Sequence, residues 1–148
     1  VLRGKTVLSN VVASQLIHED FGGVVPELAS RAHMQNILPV YQKALKIANV
    51  QAADLNAIAF TNGPGLMGAL LVGVSFAKSL AIALNLPIIQ VNHIHAHVLA
   101  HLIEGENIIN PNFPFLCLTV SGGHTQIVEV KSAKNLNIIF INERIEKN

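Results

Sequence analysis

The sequence predicts an α/β fold, and two stretches predict it. Residues 57–61 read as a short apolar strand. After the loop Asn62-Gly63-Pro64-Gly65-Leu66-Met67-Gly68, a helix pattern runs to about Leu84 and a strand occupies residues 87–91. Such a strand–loop–helix–strand unit argues for α/β organisation and parallel pairing. The second stretch is an apolar strand at 115–120, a turn at Ser121-Gly122-Gly123-His124-Thr125 and an alternating strand at 126–130. That pattern is a hairpin signal.

Composition bounds the rest. The chain has 148 residues, enough for one ordinary domain or two small lobes. Apolar residues make up 51% and charged ones 13%, so the chain buries a large fraction of itself or presents surfaces that another chain covers. A net charge of +1 gives no global sign of nucleic-acid binding, and such a partner would have to use a local patch. Cys117 is the single cysteine, which excludes an internal disulfide and fits a reducing compartment. It lies in an apolar run and reads as an inert buried thiol. There is no signal-peptide pattern. The apolar stretch 66–77 is interrupted by Lys78 and is short for a bilayer span, so a core helix is expected and no membrane. The chain opens on Val1 directly before strand-like residues, which reads as a fragment.

Residues 6–13 carry β-branched side chains and predict a strand. Phe21-Gly22-Gly23-Val24-Val25-Pro26 predicts a turn. Pro26 suits a first helical position and Glu27 the positive helix end, so a helix is expected from there to Ala48, kinked or broken at Pro39. Its Arg31 and His33 form a solvated face, or meet a polyanion. Residues 54–56 cap a turn. Gly63, Gly65 and Gly68 match the spacing GxGxxG. A dinucleotide site needs an acid about 20 residues further on, and no Asp or Glu occurs between Asp54 and Glu104. NAD binding is rejected. What remains is a tight loop at a helix N-terminus, suited to an anion or to backbone packing. Gly68 and Gly73, with Ala69, Ala77 and Ala81, equally suit close packing against a helix of this chain or of a partner.

Four of the seven histidines fall between His93 and His101, in and after Asn92-His93-Ile94-His95-Ala96-His97. Asn92 suits an N-cap, and a helix-like run ends near Ile103. His93 and His97 are four residues apart and share a face, where two imidazoles can bind one metal ion. Surface histidines reach this spacing by chance too, and zinc helices that use it take a third ligand from elsewhere. Eight residues of helix place His101 roughly 12 Å from His93, outside one coordination shell. His95 points off the face. Position 94 is Ile, so HExxH is absent and a zinc-peptidase reading is poor.

Residues 104–112 are polar and form the best boundary in the chain. In the turn that follows strand 115–120, two adjacent glycines expose backbone N–H groups that suit phosphate oxygens, with hydroxyls from Ser121 and Thr125. From local sequence alone, an ordinary hairpin with Gly-Gly in its turn is the favoured reading. The strand–turn–strand setting argues against a serine nucleophile. Residues 136–141 predict a third strand, and 142–148 a charged, frayed end.

Four motifs in this order are more specific than any one alone: FGGVVPELASRAH (21–33), NGPGLMGALLVGVSFAKSLA (62–81), NHIHAH (92–97) and FPFLCLTVSGGHTQ (113–126). Together they resemble the tRNA adenosine threonylcarbamoyltransferase family, once described as O-sialoglycoprotein endopeptidases. The resemblance covers most of residues 6–130. It implies the actin-like/sugar kinase/Hsp70 (ASKHA), ribonuclease H-like fold in incomplete form. Residues 1–108 would be the first lobe without its first strand, and 109–148 the opening strands of the second.

The resemblance also implies a chemistry: transfer of a threonylcarbamoyl group from threonylcarbamoyl-adenylate to the adenosine next to the tRNA anticodon. By position, His93 and His97 match the family's two histidine ligands for iron or zinc. Thr119, Val120, Ser121, Gly122 and Gly123 match its adenylate-binding loop. The implied partners are tRNA, a paralogous non-catalytic subunit that the helix after Gly68 helps to pair with, and an ATPase subunit, all cytoplasmic. The paralogue lacks the paired histidines, so these speak for the catalytic subunit. The family's acidic N-terminal phosphate strand, its acidic helix after the third strand of the second lobe and its third metal ligand, a C-terminal Asp, have no counterpart in these residues. The chain alone is therefore expected to be inactive. The alternative is a non-catalytic binding or scaffold module of the same fold.

Overall fold

The computed structural model describes residues 1–13, 25–105, 110–120 and 124–143. They form two compact units, Val1–His93 and Ile94–Asn148.

The first unit opens with a small antiparallel hairpin of β1 (Leu2–Arg3) and β2 (Thr6–Val7), turned at Gly4 with a φ of 62°. The strand expected over 6–13 is thus only two residues long. Its partner offers two residues, and beyond Val7 the backbone finds other bonds. Leu8 and Ser9 N–H both donate to the Val1 carbonyl, at 2.9 and 3.3 Å. The buried Ser9 hydroxyl donates to the Ala44 carbonyl at 2.8 Å and ties the segment to the following helix. The turn expected at 21–26 lies, for residues 21–24, outside the described residues.

Helix α1 (Pro26–Ala48) starts at Pro26, whose missing N–H is one that no helical carbonyl would have accepted. It runs unbroken through Pro39. It stops at Asn49, which adopts a left-handed φ of 53°, while Asn49 and Val50 N–H close on the carbonyls of Lys46 and Leu45. Arg31 pairs with Glu27 at 2.7 Å, both side chains exposed, in agreement with a solvated face. A 3₁₀ turn (Ala52–Asp54) is held by Asp54 accepting from the Gln51 N–H at 2.7 Å.

Strands β3 (Ile58–Gly63) and β4 (Ile88–Asn92) pair in parallel around α2 (Met67–Leu84), as the sequence predicts. Helices α1 and α2 meet through Tyr41 and Phe76, edge to face with centroids 5.8 Å apart. They also meet at Gly68, where an added Cβ would run into the Ser30 hydroxyl and lie 3.3 Å from its Cβ. The packing reading of Gly68 therefore holds. At Gly73 a Cβ would meet nothing within 4 Å.

The expectation of a core helix is corrected. Among the described residues, α2 buries only Ala77 and Ala81, and Met67 and Ile82 are about four-fifths exposed at 81% and 82%. Its apolarity calls for cover on every side, and one helix with a two-stranded sheet covers one side only. The helix continues past Lys78 to 18 residues, long and apolar enough by length and composition to cross a membrane. Length and composition alone are weak evidence of a span, since helices covered by protein meet the same criteria.

In the second unit, α3 (His93–Leu99) contributes from Ile94 onward and gives way to a 3₁₀ turn (Ala100–Leu102). The Asn110 amide donates to the carbonyls of His101 and Ile103, at 2.9 and 3.2 Å. Strands β5 (Phe115–Val120), β6 (His124–Ser132) and β7 (Asn135–Glu143) form an antiparallel sheet in the order β5-β6-β7. Its core is Val98 from α3 with Cys117, Val128 and Val130, flanked by Phe115 and Leu136. Cys117 is a free, buried thiol, as expected. Leu116, Leu118 and Val120 occupy the alternate positions of β5 and are exposed.

Candidate functional site

The histidine helix is placed by its apolar residues. Ile94 and Val98 are four apart and buried. His93 and His97 stand one position earlier on the same turns, on the adjoining, exposed stripe. Residues with this spacing have Cβ atoms about 5–6 Å apart, which suits two ligands on one ion with metal–nitrogen bonds of about 2 Å. His95 is exposed but lies off the stripe, and His101 sits in the 3₁₀ turn beyond it. Asn92, expected at the helix cap, is the last residue of β4 and faces Gly63 across the ladder. The donor chemistry of the pair therefore fits two positions of a metal shell. Among the described residues, no group of three or more His, Cys, Asp or Glu side chains gathers to complete one.

Just before α3, the ladder between β3 and β4 contains a bulge. Ile58 to Thr61 pair in step with Ile88 to Val91, and then Gly63, not Asn62, faces Asn92. Asn62 is the extra residue, and its amide donates to the Gln90 side-chain oxygen at 3.3 Å. Gly63 leaves the strand with a φ of 140°, which side-chain-bearing residues rarely adopt. Sequence reasoning missed this amide pair. The signal was an amide directly after one predicted strand and another within the strand predicted to pair with it in parallel, but the one-residue slip that brings them together is invisible in a pattern.

The third group lies at the end of β5. Thr119 points inward and is buried opposite Gln126, while Val120 points outward opposite Thr125. The Thr119 hydroxyl and the Gln126 carboxamide oxygen are buried without a hydrogen-bond partner among the described residues, an arrangement that costs about 1–3 kcal/mol for each group left unmet. The expected loop residues Ser121, Gly122 and Gly123 lie outside the described residues.

Comparison with known proteins bears on the chain as a whole. The family model of tRNA N6-adenosine threonylcarbamoyltransferase (TsaD) matches residues 6–145. Proteins of that name are 60% identical in Riemerella anatipestifer over 139 residues, 60% in Phocaeicola vulgatus over 141 and 54% in Clostridium novyi over 140. Each match covers 94% of this chain but 41%, 42% and 40% of the relative, so the chain spans about two-fifths of their length. Among solved structures, YeaZ from Pseudomonas aeruginosa superposes with a TM-score of 0.52 at 20% identity, covering 76% of this chain and 52% of that one. That likeness shows the fold, the actin-like, ribonuclease H-like architecture expected from the motifs. With the match extending over nearly all of its residues, the chain belongs to the tRNA N6-adenosine threonylcarbamoyltransferase family.

Proposed function

We propose that this chain serves the transfer of a threonylcarbamoyl group from threonylcarbamoyl-adenylate to the adenosine beside the tRNA anticodon. The observation that carries the proposal is the family match over residues 6–145, which includes the paired histidines of α3 and the end of β5. His93 and His97 hold an iron or zinc ion, with the third ligand supplied from outside this chain. Such an ion, when bound, supplies a Lewis acid toward the carbamoyl group. The chain's own residues bind and orient: Thr119, Val120, Ser121, Gly122 and Gly123 cradle the adenylate, the turn offering backbone N–H groups to the phosphate. The exocyclic amine of the adenosine then attacks a carbonyl already held in place; the new C–N bond forms as the C–O bond to the phosphate breaks, AMP leaves and the amine gives up one proton to water, so the step depends on positioning and charge stabilisation. On this reading residues 1–108 belong to the first lobe and 109–148 to the second. The working partners are tRNA, a paralogous subunit and an ATPase subunit in the cytoplasm.

The adenylate site is tested by calorimetry with threonylcarbamoyl-adenylate. Gly122→Trp and Gly123→Trp should each weaken binding at least about tenfold, since a side chain there keeps the backbone from the phosphate. Binding that survives both substitutions removes the turn from the site. Absence of binding by the unsubstituted chain favours the scaffold reading.

A further inference from the structure

We propose that Asn62 and Gln90 are positioning residues that lock the bulge at the carboxyl end of β3 and so fix the place of His93. The inference rests on the metal reading only for its consequence, not for its geometry. Bulges re-aim a strand and recur beside functional sites. In open α/β sheets, ligands gather outside the carboxyl ends of the strands. Here the bulge lies at that end. The ladder slips by one residue between Thr61 and Gly63, and the slip brings Gly63 opposite Asn92, the residue directly before His93. Were Asn62 paired in register instead, it would face Asn92, and the loop would leave the strand one residue earlier. The extra residue has no partner in the ladder register. The 3.3 Å bond from the Asn62 amide ties it to Gln90, a strand residue only three positions before His93. The two side chains thus clamp the exit of β3 to the exit of β4, and β4 runs straight into the histidine helix. Outer groups that hold a metal ligand's backbone or ring typically change metal affinity about 10- to 100-fold when removed.

Two readouts on the 148-residue chain test this. In NMR, Asn62→Ala or Gln90→Leu should shift the His93 imidazole resonances and speed amide exchange at Gly63 and Asn92, while exchange at the far end of the ladder, Ile58 and Ile88, stays as before. Gln90→Glu, which keeps an acceptor for the Asn62 amide, should restore both. Perturbation confined to positions 62 and 90, or failure of Gln90→Glu to rescue, overturns the proposal. In a zinc titration, Gln90→Leu should weaken affinity about tenfold with Gln90→Glu near the unsubstituted chain. Equal affinity in all three removes the link to the metal. If the unsubstituted chain takes up no zinc, the metal reading fails, and the NMR result still decides the positioning role.

Discussion

Val98→Asp leaves the second unit unfolded, and Val98→Ala lowers its stability by about 2–3 kcal/mol. Val98 is 0% exposed and is the residue through which α3 enters the cluster of Cys117, Val128 and Val130. Truncation to Ala removes two methyl groups from a site that cannot collapse, because the other walls belong to a hydrogen-bonded sheet. A carboxylate in the same place meets Cys117, Val128, Val130, Phe115 and Leu136, the described residues of the cluster, none of which is a cation. Burying it unpaired costs more than a small unit's whole stability margin. The effect extends to the proposed metal pair, since His97 is the preceding residue on the same helix. Denaturant unfolding followed by circular dichroism measures both variants. A Val98→Asp chain with the parental midpoint would mean that α3 does not depend on this contact.

Gly68→Val should destabilise the first unit by about 1–3 kcal/mol. Helix propensity favours the substitution, because valine is a better helix former than glycine by a few tenths of a kcal/mol. The steric term wins. A Cβ at this position meets the Ser30 hydroxyl, which is held by its bond to the Pro26 carbonyl at 2.8 Å, and Ser30 Cβ stands 3.3 Å away. Rotating the hydroxyl aside relieves only the first contact. Ser30→Gly removes both atoms, at its own helix-propensity cost of about 0.5 kcal/mol. The informative quantity is therefore the coupling in a double-mutant cycle: the Gly68→Val/Ser30→Gly chain should be more stable than the two single changes predict when added. Simple additivity would show that α1 and α2 do not touch there.

These two positions show where a sequence informs and where it stops. The parallel β3–α2–β4 unit was legible because an apolar run, a glycine loop and a helix period follow in order. The β5–β6–β7 sheet was legible from alternation, and Cys117 was read as buried, but the exposure of its neighbours was not legible: Leu116 and Leu118 are no less apolar, and only packing decides that they are exposed. The strand expected over 6–13 failed because strand length depends on the partner. Ser9 is held instead by a bond to Ala44, 35 residues away. Apolarity in α2 announced a need for cover, not whether this chain supplies it. At the candidate site, the i,i+4 relation of His93 and His97 follows from helix geometry alone and is present in the structure. The bulge at Asn62 is a register event between strands 28 residues apart and leaves no local trace.

The most direct test of the account is a titration of the chain with a divalent metal, zinc or anaerobic ferrous iron, read by calorimetry. His93 and His97 as a metal pair predict one ion per chain, with affinity falling at least about a hundredfold in the His93→Ala/His97→Ala variant and unchanged in His95→Ala and His101→Ala. No uptake of either ion, or uptake that the double substitution leaves intact, would contradict it.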